Sequence, residues 1–151
     1  MKKSMRNKEI KELVRDIEEK FGIKFSRKEK FEIDDNFLLI NEHPFFFYYE
    51  RRLVPTLKLI LEDNVLKTIT VDMGAVKFIV NGADIMRPGI TKIDENIENN
   101  ELIAIIDEKH NKPIGIGIAL FSGKEMQNLA EGKVVKNIHY VGDRIWNYWS
   151  G

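Results

Sequence analysis

The chain has 151 residues, 43% of them hydrophobic, with 24 Lys and Arg balanced by 24 Asp and Glu and no cysteine. That length suits one ordinary domain or two small ones, and the missing cysteine excludes disulfides and thiolate metal sites. Zero net charge excludes a bulk basic field for a polyanion, so any nucleic-acid contact has to come from a local patch. No apolar run approaches the roughly 18 residues of a membrane span. The basic start MKKSMRNKEI runs on into Glu and Lys, where a signal peptide needs an apolar core. A soluble cytoplasmic protein without membrane association is expected.

In chain order, Ile10, Leu13, Val14, Ile17 and Phe21 recur at helical spacing, so residues 7–21 read as an amphipathic helix with Asn7 as N-cap and Gly22 as its stop. KFEID (30–34) and FLLIN (37–41) read as strands about an Asp35-Asn36 turn, and PFFFYYE (44–50) as a third strand. Pro55 is expected at the first position of a short helix carrying Leu57, Ile60 and Leu61. A boundary is expected near residue 70 without a flexible linker, giving two modules packed rigidly.

The second half opens with KTITVD (67–72), an alternating strand whose Asp72 can cap a helix with Ala75, Phe78, Ile79 and Gly82 on its inner face. Pro88-Gly89 suits the centre of a type II turn. ELIAIID (101–107) and PIGIGIALF (113–121) read as strands, and Ser122 to Glu125 as a capping box opening a small helix that closes at Gly132. KVVKNIHYV and DRIWNYW are expected to form a hairpin about Gly142-Asp143. Short strands interrupted by two small helices suggest a small barrel.

Catalytic constellations do not assemble. His43, His110 and His139 stand in unrelated contexts, so surface or hydrogen-bonded imidazoles are expected rather than a metal site or a general base. IGIGIALFSGKE lacks both the spacing of a phosphate loop and the third glycine of a dinucleotide fingerprint. Gly115 and Gly117 fit better as strand positions that another backbone approaches closely. The acidic Asp94, Glu95, Glu98 and Glu101, with three asparagines among them, read as a solvated loop. The aromatic run Phe45 to Tyr49 has two readings: a strand buried on both sides, or, through Phe47, Tyr49, Arg51 and Arg52, a partner surface.

VDMGAVKFIVNGADIMRPGI, residues 71–90, is the stretch that invites a binding role. A helix N-terminus offers unpaired N–H groups to a phosphate, Gly74 admits a backbone, and Lys77 and Arg87 supply charge. Asp72 opposes the simplest version, because a capping carboxylate already takes the donors; a phosphate would then rest on Lys77, Arg87 and turn amides. A plain helix–turn packing element fits the same spacing.

That stretch, followed by PIGIGIAL and NIHYVGDRIW, resembles the PUA domain, an RNA-binding module. With LVPTLKLI upstream it is most similar to the MCT type, named for malignant T-cell-amplified sequence and related to ligatin. The resemblance implies an α+β fold: a small N-terminal α/β module (1–70) packed on a PUA pseudo-β-barrel with short helices (71–151). It implies an RNA-facing surface at Gly74, Lys77, Gly82, Ala83, Arg87, Pro88, Gly89, His139, Tyr140 and Arg144. His139 or Tyr140 would stack on a base, or Tyr140 would be a barrel residue; Trp146 and Trp149 read as packing. The implied function is non-catalytic binding of small-subunit rRNA or tRNA during initiation or recycling, beside a partner translation factor and with no cofactor or metal. A protein adaptor of the translation or RNA-modification machinery, and an RNA-modifying enzyme, are the alternatives.

Overall fold

A computed structural model describes residues 1–149; residues 150 and 151, the end of the expected second domain, lie outside the described part. It divides into two compact units, Met1–Thr56 and Leu57–Gly151.

The first unit begins with β1 (Lys3–Ser4) and α1 (Asn7–Phe21), which buries Ile10, Leu13, Ile17 and Phe21 as its periodicity requires. Arg6, not Asn7, is the N-cap residue. An arginine side chain has no acceptor, so the Glu9 carboxylate reaches back instead to the Arg6 N–H, 3.2 Å away. Then β2 (Phe31–Asp34), β3 (Phe37–Ile40), β4 (His43–Tyr49) and β5 (Arg52–Pro55) follow, and the five strands form an antiparallel meander in chain order. The aromatic strand is mostly interior: Phe46 and Phe47 are 0% and 1% exposed, and the Phe21 and Phe46 rings lie 5.7 Å apart. Pro55 does not start a helix. It ends β5 opposite Phe46, at the sheet edge where a missing N–H leaves no partner short. Thr56 follows it, fully buried, and its hydroxyl donates to the Pro44 carbonyl at 3.1 Å.

The second unit starts earlier than the expected boundary near residue 70. Its first helix is α2 (Leu57–Glu62), which packs on the central strand β10 (Pro113–Ala119). Next come β6 (Lys67–Val71), α3 (Met73–Ile79), β7 (Ile85–Met86), a 3-10 turn (Arg87–Gly89) and β8 (Ile90–Ile93). The remaining elements are β9 (Leu102–Asp107), α4 (Gly123–Gln127), β11 (Lys133–Tyr140) and α5 (Arg144–Tyr148). The strands form one curled sheet, a half-barrel, in the order β7-β11-β10-β9-β6-β8; only β6 and β9 run parallel. Ile69, Val71, Ile85, Ile105, Val134 and Val135 meet in its core. Gly117 is required there by close approach, since a Cβ would stand within 2.4 Å of Val135 and 2.8 Å of the Lys136 carbonyl.

Four local expectations change. The helix α4, opened by Ser122, ends at Gln127 with Asn128 as its C-cap, short of Gly132. Gly142-Asp143 does not turn a hairpin: Asp143 caps α5 by accepting the Trp146 N–H at 2.8 Å, so the chain winds into a helix after β11. Pro88-Gly89 forms a 3-10 turn, in which the Ile90 N–H returns to the Arg87 carbonyl, and Gly89 needs no positive φ. Neither Phe78 nor Gly82 is on the inner face of α3: Phe78 is 60% exposed, and Gly82 follows the helix and is exposed as well.

Candidate functional site

Asp72 sets up the site. Its carboxylate accepts the Ala75 N–H at 2.9 Å and so fixes the start of α3, while its own N–H donates to the Gly89 carbonyl at 2.8 Å. The helix start is thereby latched to the 3-10 turn. Between them runs a groove of about 440 Å³ whose walls include Gly74, Phe78, Ala83, Ile85, Met86 and Pro88. The walls are mainly apolar, and Phe78 and Met86 stand at its mouth, 60% and 51% exposed. Gly89 lines it too, and a Cβ at Gly89 would come within 3.1 Å of that of Ala75.

The outer wall is held by a residue that sequence reasoning passed over. Asn137 on β11 donates its amide to the carbonyls of Ile79 and Ala83, both at 3.0 Å, and its N–H to Asp84 at 2.9 Å. Asp84 also pairs with Lys133 at 3.3 Å. These bonds pin the turn that carries Gly82 and Ala83. An Asn inside a predicted strand was the available signal, since strands disfavour it. Gly82 has φ 96°, and its Cα faces the Tyr140 ring so closely that a Cβ would sit 3.2 Å from the hydroxyl.

The expected residues fall into groups. Gly74, Ala83, Pro88 and Gly89 line the groove. Lys77 is exposed beside it, with Nζ 5.2 Å from the centre of the Phe78 ring. Gly82 and half-buried Tyr140 adjoin each other, and exposed Arg144 begins α5.

Arg87, expected to offer its charge to a phosphate, is half-buried and turned toward backbone carbonyls. Its Nε donates to the Met126 carbonyl at 2.7 Å and Nη1 to that of Ile90 at 3.2 Å, so it braces the turn against the C-terminal end of α4 and the start of β8. His139 does not reach the surface: it is 0% exposed. Its Nε2 accepts the Leu57 N–H at 3.0 Å, which places the ring proton on Nδ1, 2.9 Å from the Asp143 carboxylate. Burial pushes the Asp143 carboxyl up, but hydrogen bonds from the His139 ring and from the Trp146 and Tyr140 N–H groups outweigh it and hold it below the usual range. Phe47, proposed for a partner surface, is interior, Tyr49 and Arg52 are half-buried, and Arg51 is exposed on the turn between β4 and β5. Among the described residues no cluster of three His, Asp or Glu is placed to hold a metal ion, and no helix is long and apolar enough to cross a membrane.

Residues 67–141 match the PUA domain family, and residues 2–63 match a domain of unknown function, DUF1947. An uncharacterized protein of Methanocaldococcus jannaschii is 44% identical over 133 residues, covering 87% of this chain and 80% of that one. Translation machinery-associated protein 20 of Schizosaccharomyces pombe is 31% identical over 106 residues, 67% of this chain; the match spans only 59% of the yeast protein. Among solved structures, a hypothetical protein of Pyrococcus horikoshii superposes with a TM-score of 0.84 at 31% identity, covering 99% of both chains.

Proposed function

The chain belongs to the PUA-domain proteins of the MCT type, with DUF1947 ahead of the PUA domain; from that premise we propose that it is a non-catalytic RNA-binding protein of the translation apparatus, acting in the cytoplasm. The groove beside α3 carries this reading. Its apolar walls and the exposed Phe78 ring suit the face of an unpaired base, and exposed Gly74 leaves room for a sugar-phosphate chain, while Gly89 lets the turn close on Ala75. Lys77 supplies the adjacent charge. Arg87 serves the site by fixing the turn, and Tyr140 by backing Gly82.

The RNA in this reading is small-subunit rRNA or a tRNA, met during initiation or recycling beside a partner translation factor. The name of the S. pombe relative supports the connection with translation. The His139–Asp143 pair has the atoms of an acid–base dyad, but it is interior and Nε2 is occupied, which favours a bracing role over catalysis.

Ultraviolet crosslinking in cell extract tests the proposal. Crosslinks between residues 74–89 and small-subunit rRNA or tRNA are expected, and Phe78→Ala should remove them in a protein that still folds. Crosslinks confined to other segments, or unchanged by Phe78→Ala, would defeat the groove assignment.

A further inference from the structure

The groove has few charges, yet the neutral chain concentrates its cations elsewhere. Residues 2–11 and 24–30 together hold nine Lys and Arg against two Glu, a net charge of +7, so the rest of the chain carries −7. The fold of the first unit brings these two segments side by side. Ser4 is opposite Glu32, the Met5 N–H donates to the Phe31 carbonyl at 3.2 Å, and Asn7, Ile10, Ser26, Arg27 and Lys28 surround one open depression of about 460 Å³.

Three of the nine cations are paired: Lys2 with Glu42, Arg6 with Glu9 and Lys30 with Glu32, at 3.9, 3.1 and 3.6 Å. The other six, Lys3, Lys8, Lys11, Lys24, Arg27 and Lys28, are exposed, and none lies within 4.0 Å of a carboxylate among the described residues. The nearby acids are accounted for. Glu29 is folded into its own turn, accepting the Ser26 N–H at 2.8 Å and the Asn41 amide at 3.2 Å, while Glu9 and Glu12 border the neighbouring depression with Arg6 and Lys8.

We infer that this basic edge of the DUF1947 unit is a second RNA contact, gripping the phosphate backbone without reading sequence. Unpaired cations held by a rigid turn and a helix have that effect, because each phosphate they neutralise releases counterions. An acidic protein would be the other polyanion, but protein interfaces rest on apolar or aromatic anchors at their centre. Here Met1 is the only exposed large hydrophobic side chain among the described residues of the unit. Backbone contact needs only the amide and hydroxyl of Asn7 and Ser26 and the charges around them.

The test uses the full chain and a labelled oligouridylate, with affinity measured across a salt series. Lys8→Gln/Arg27→Gln/Lys28→Gln should lower the salt slope by about 2 units, near 0.7 for each lost phosphate contact, and weaken binding at least tenfold at about 0.1 M salt. Arg27→Lys/Lys28→Arg, which keeps the charges, should restore both. Phe78→Ala should leave the slope unchanged while weakening binding, so the edge and the groove fail separately. If the triple variant, folded by circular dichroism, keeps the parent slope and affinity, the inference is wrong. It is equally wrong if the substitutions abolish only a nuclease-resistant protein association.

Discussion

Two regions of the PUA unit are built from different materials. The brace is built from His139 in β11 and from Asp143, which caps α5, the residue types from which active sites are made. Yet His139 is interior, its ring nitrogens occupied. At the groove, Phe78 and Met86 are left uncovered beside alanines and glycines, while the two carboxylates that line it are already engaged, Asp72 by the Ala75 N–H and Asp84 by the Asn137 N–H and Lys133. The reactive groups are thus engaged in holding the fold, and plain side chains are what the groove leaves open. Engagement, rather than chemical type, separates a surface that can receive a ligand from one that holds the fold.

The largest effect that could break this contrast comes from His139→Ala. It removes the acceptor for the buried Leu57 N–H and the donor to half-buried Asp143, and should cost about 2–4 kcal/mol in urea unfolding. Binding to RNA measured well below the new midpoint should be unchanged. A variant with parent stability but lost binding would make His139 part of the interface after all.

The pH dependence of stability has a definite sign. The folded-state carboxyl of Asp143 lies below its unfolded value of about 3.9, so its contribution is complete above that value and fades as pH falls through the folded value. Asp143→Asn should be less stable at neutral pH and lose less on acidification, as read from melting temperatures between neutral pH and pH of about 3. An unaltered acid slope would contradict the role given to the His139 and backbone hydrogen bonds.

Phe78→Ala sharpens the other side. Its ring is largely exposed, so stability should move little, while loss of a base-stacking contact should weaken RNA binding by about 1–3 kcal/mol. Arg87→Ala should do the reverse: lose about 1–2 kcal/mol of stability through its two carbonyl contacts and leave the salt slope of binding as it was. The smallest change is expected for Lys77→Ala, about 0.7 unit of salt slope if it meets a single phosphate of an unpaired strand.

Much of this architecture was legible because it is periodic or local. The spacing of Ile10, Leu13, Ile17 and Phe21 declared α1, and Ser122 with Glu125 declared the start of α4. Asp72 was readable as a cap, and Gly117 as a place where backbones crowd. Failures came where one local signal serves two outcomes. Gly142-Asp143 has the composition of a hairpin turn, but an aspartate three residues before Trp146 is also a helix cap, and the hydrogen bond to His139 tips the choice. Pro55 suits a first helical turn and an edge strand equally well, and only its pairing with Phe46 decides.

The site was half legible for the same reason. The glycines and Pro88 of the groove follow from the segment 71–90 and its resemblance to the PUA module. That Arg87 turns inward depends on carbonyls at Ile90 and Met126, the latter 39 positions away, and the role of Asn137 on bonds to residues more than 50 positions away. No periodicity registers such partners. The basic edge is the converse case: its charges are plain in the sequence, but two separate segments become one surface only when β1 pairs with β2.

The hydrogen bond from Leu57 to His139 joins positions 82 apart. A piece of the chain cut at Lys67, where the PUA match begins, would forfeit that donor together with the packing of α2 on β10. A segment beginning at Leu57, upstream of the recognised family border, should therefore resist urea better than one beginning at Lys67. Grafting or swapping this module between proteins should carry α2 along, as a stopper that travels with its barrel.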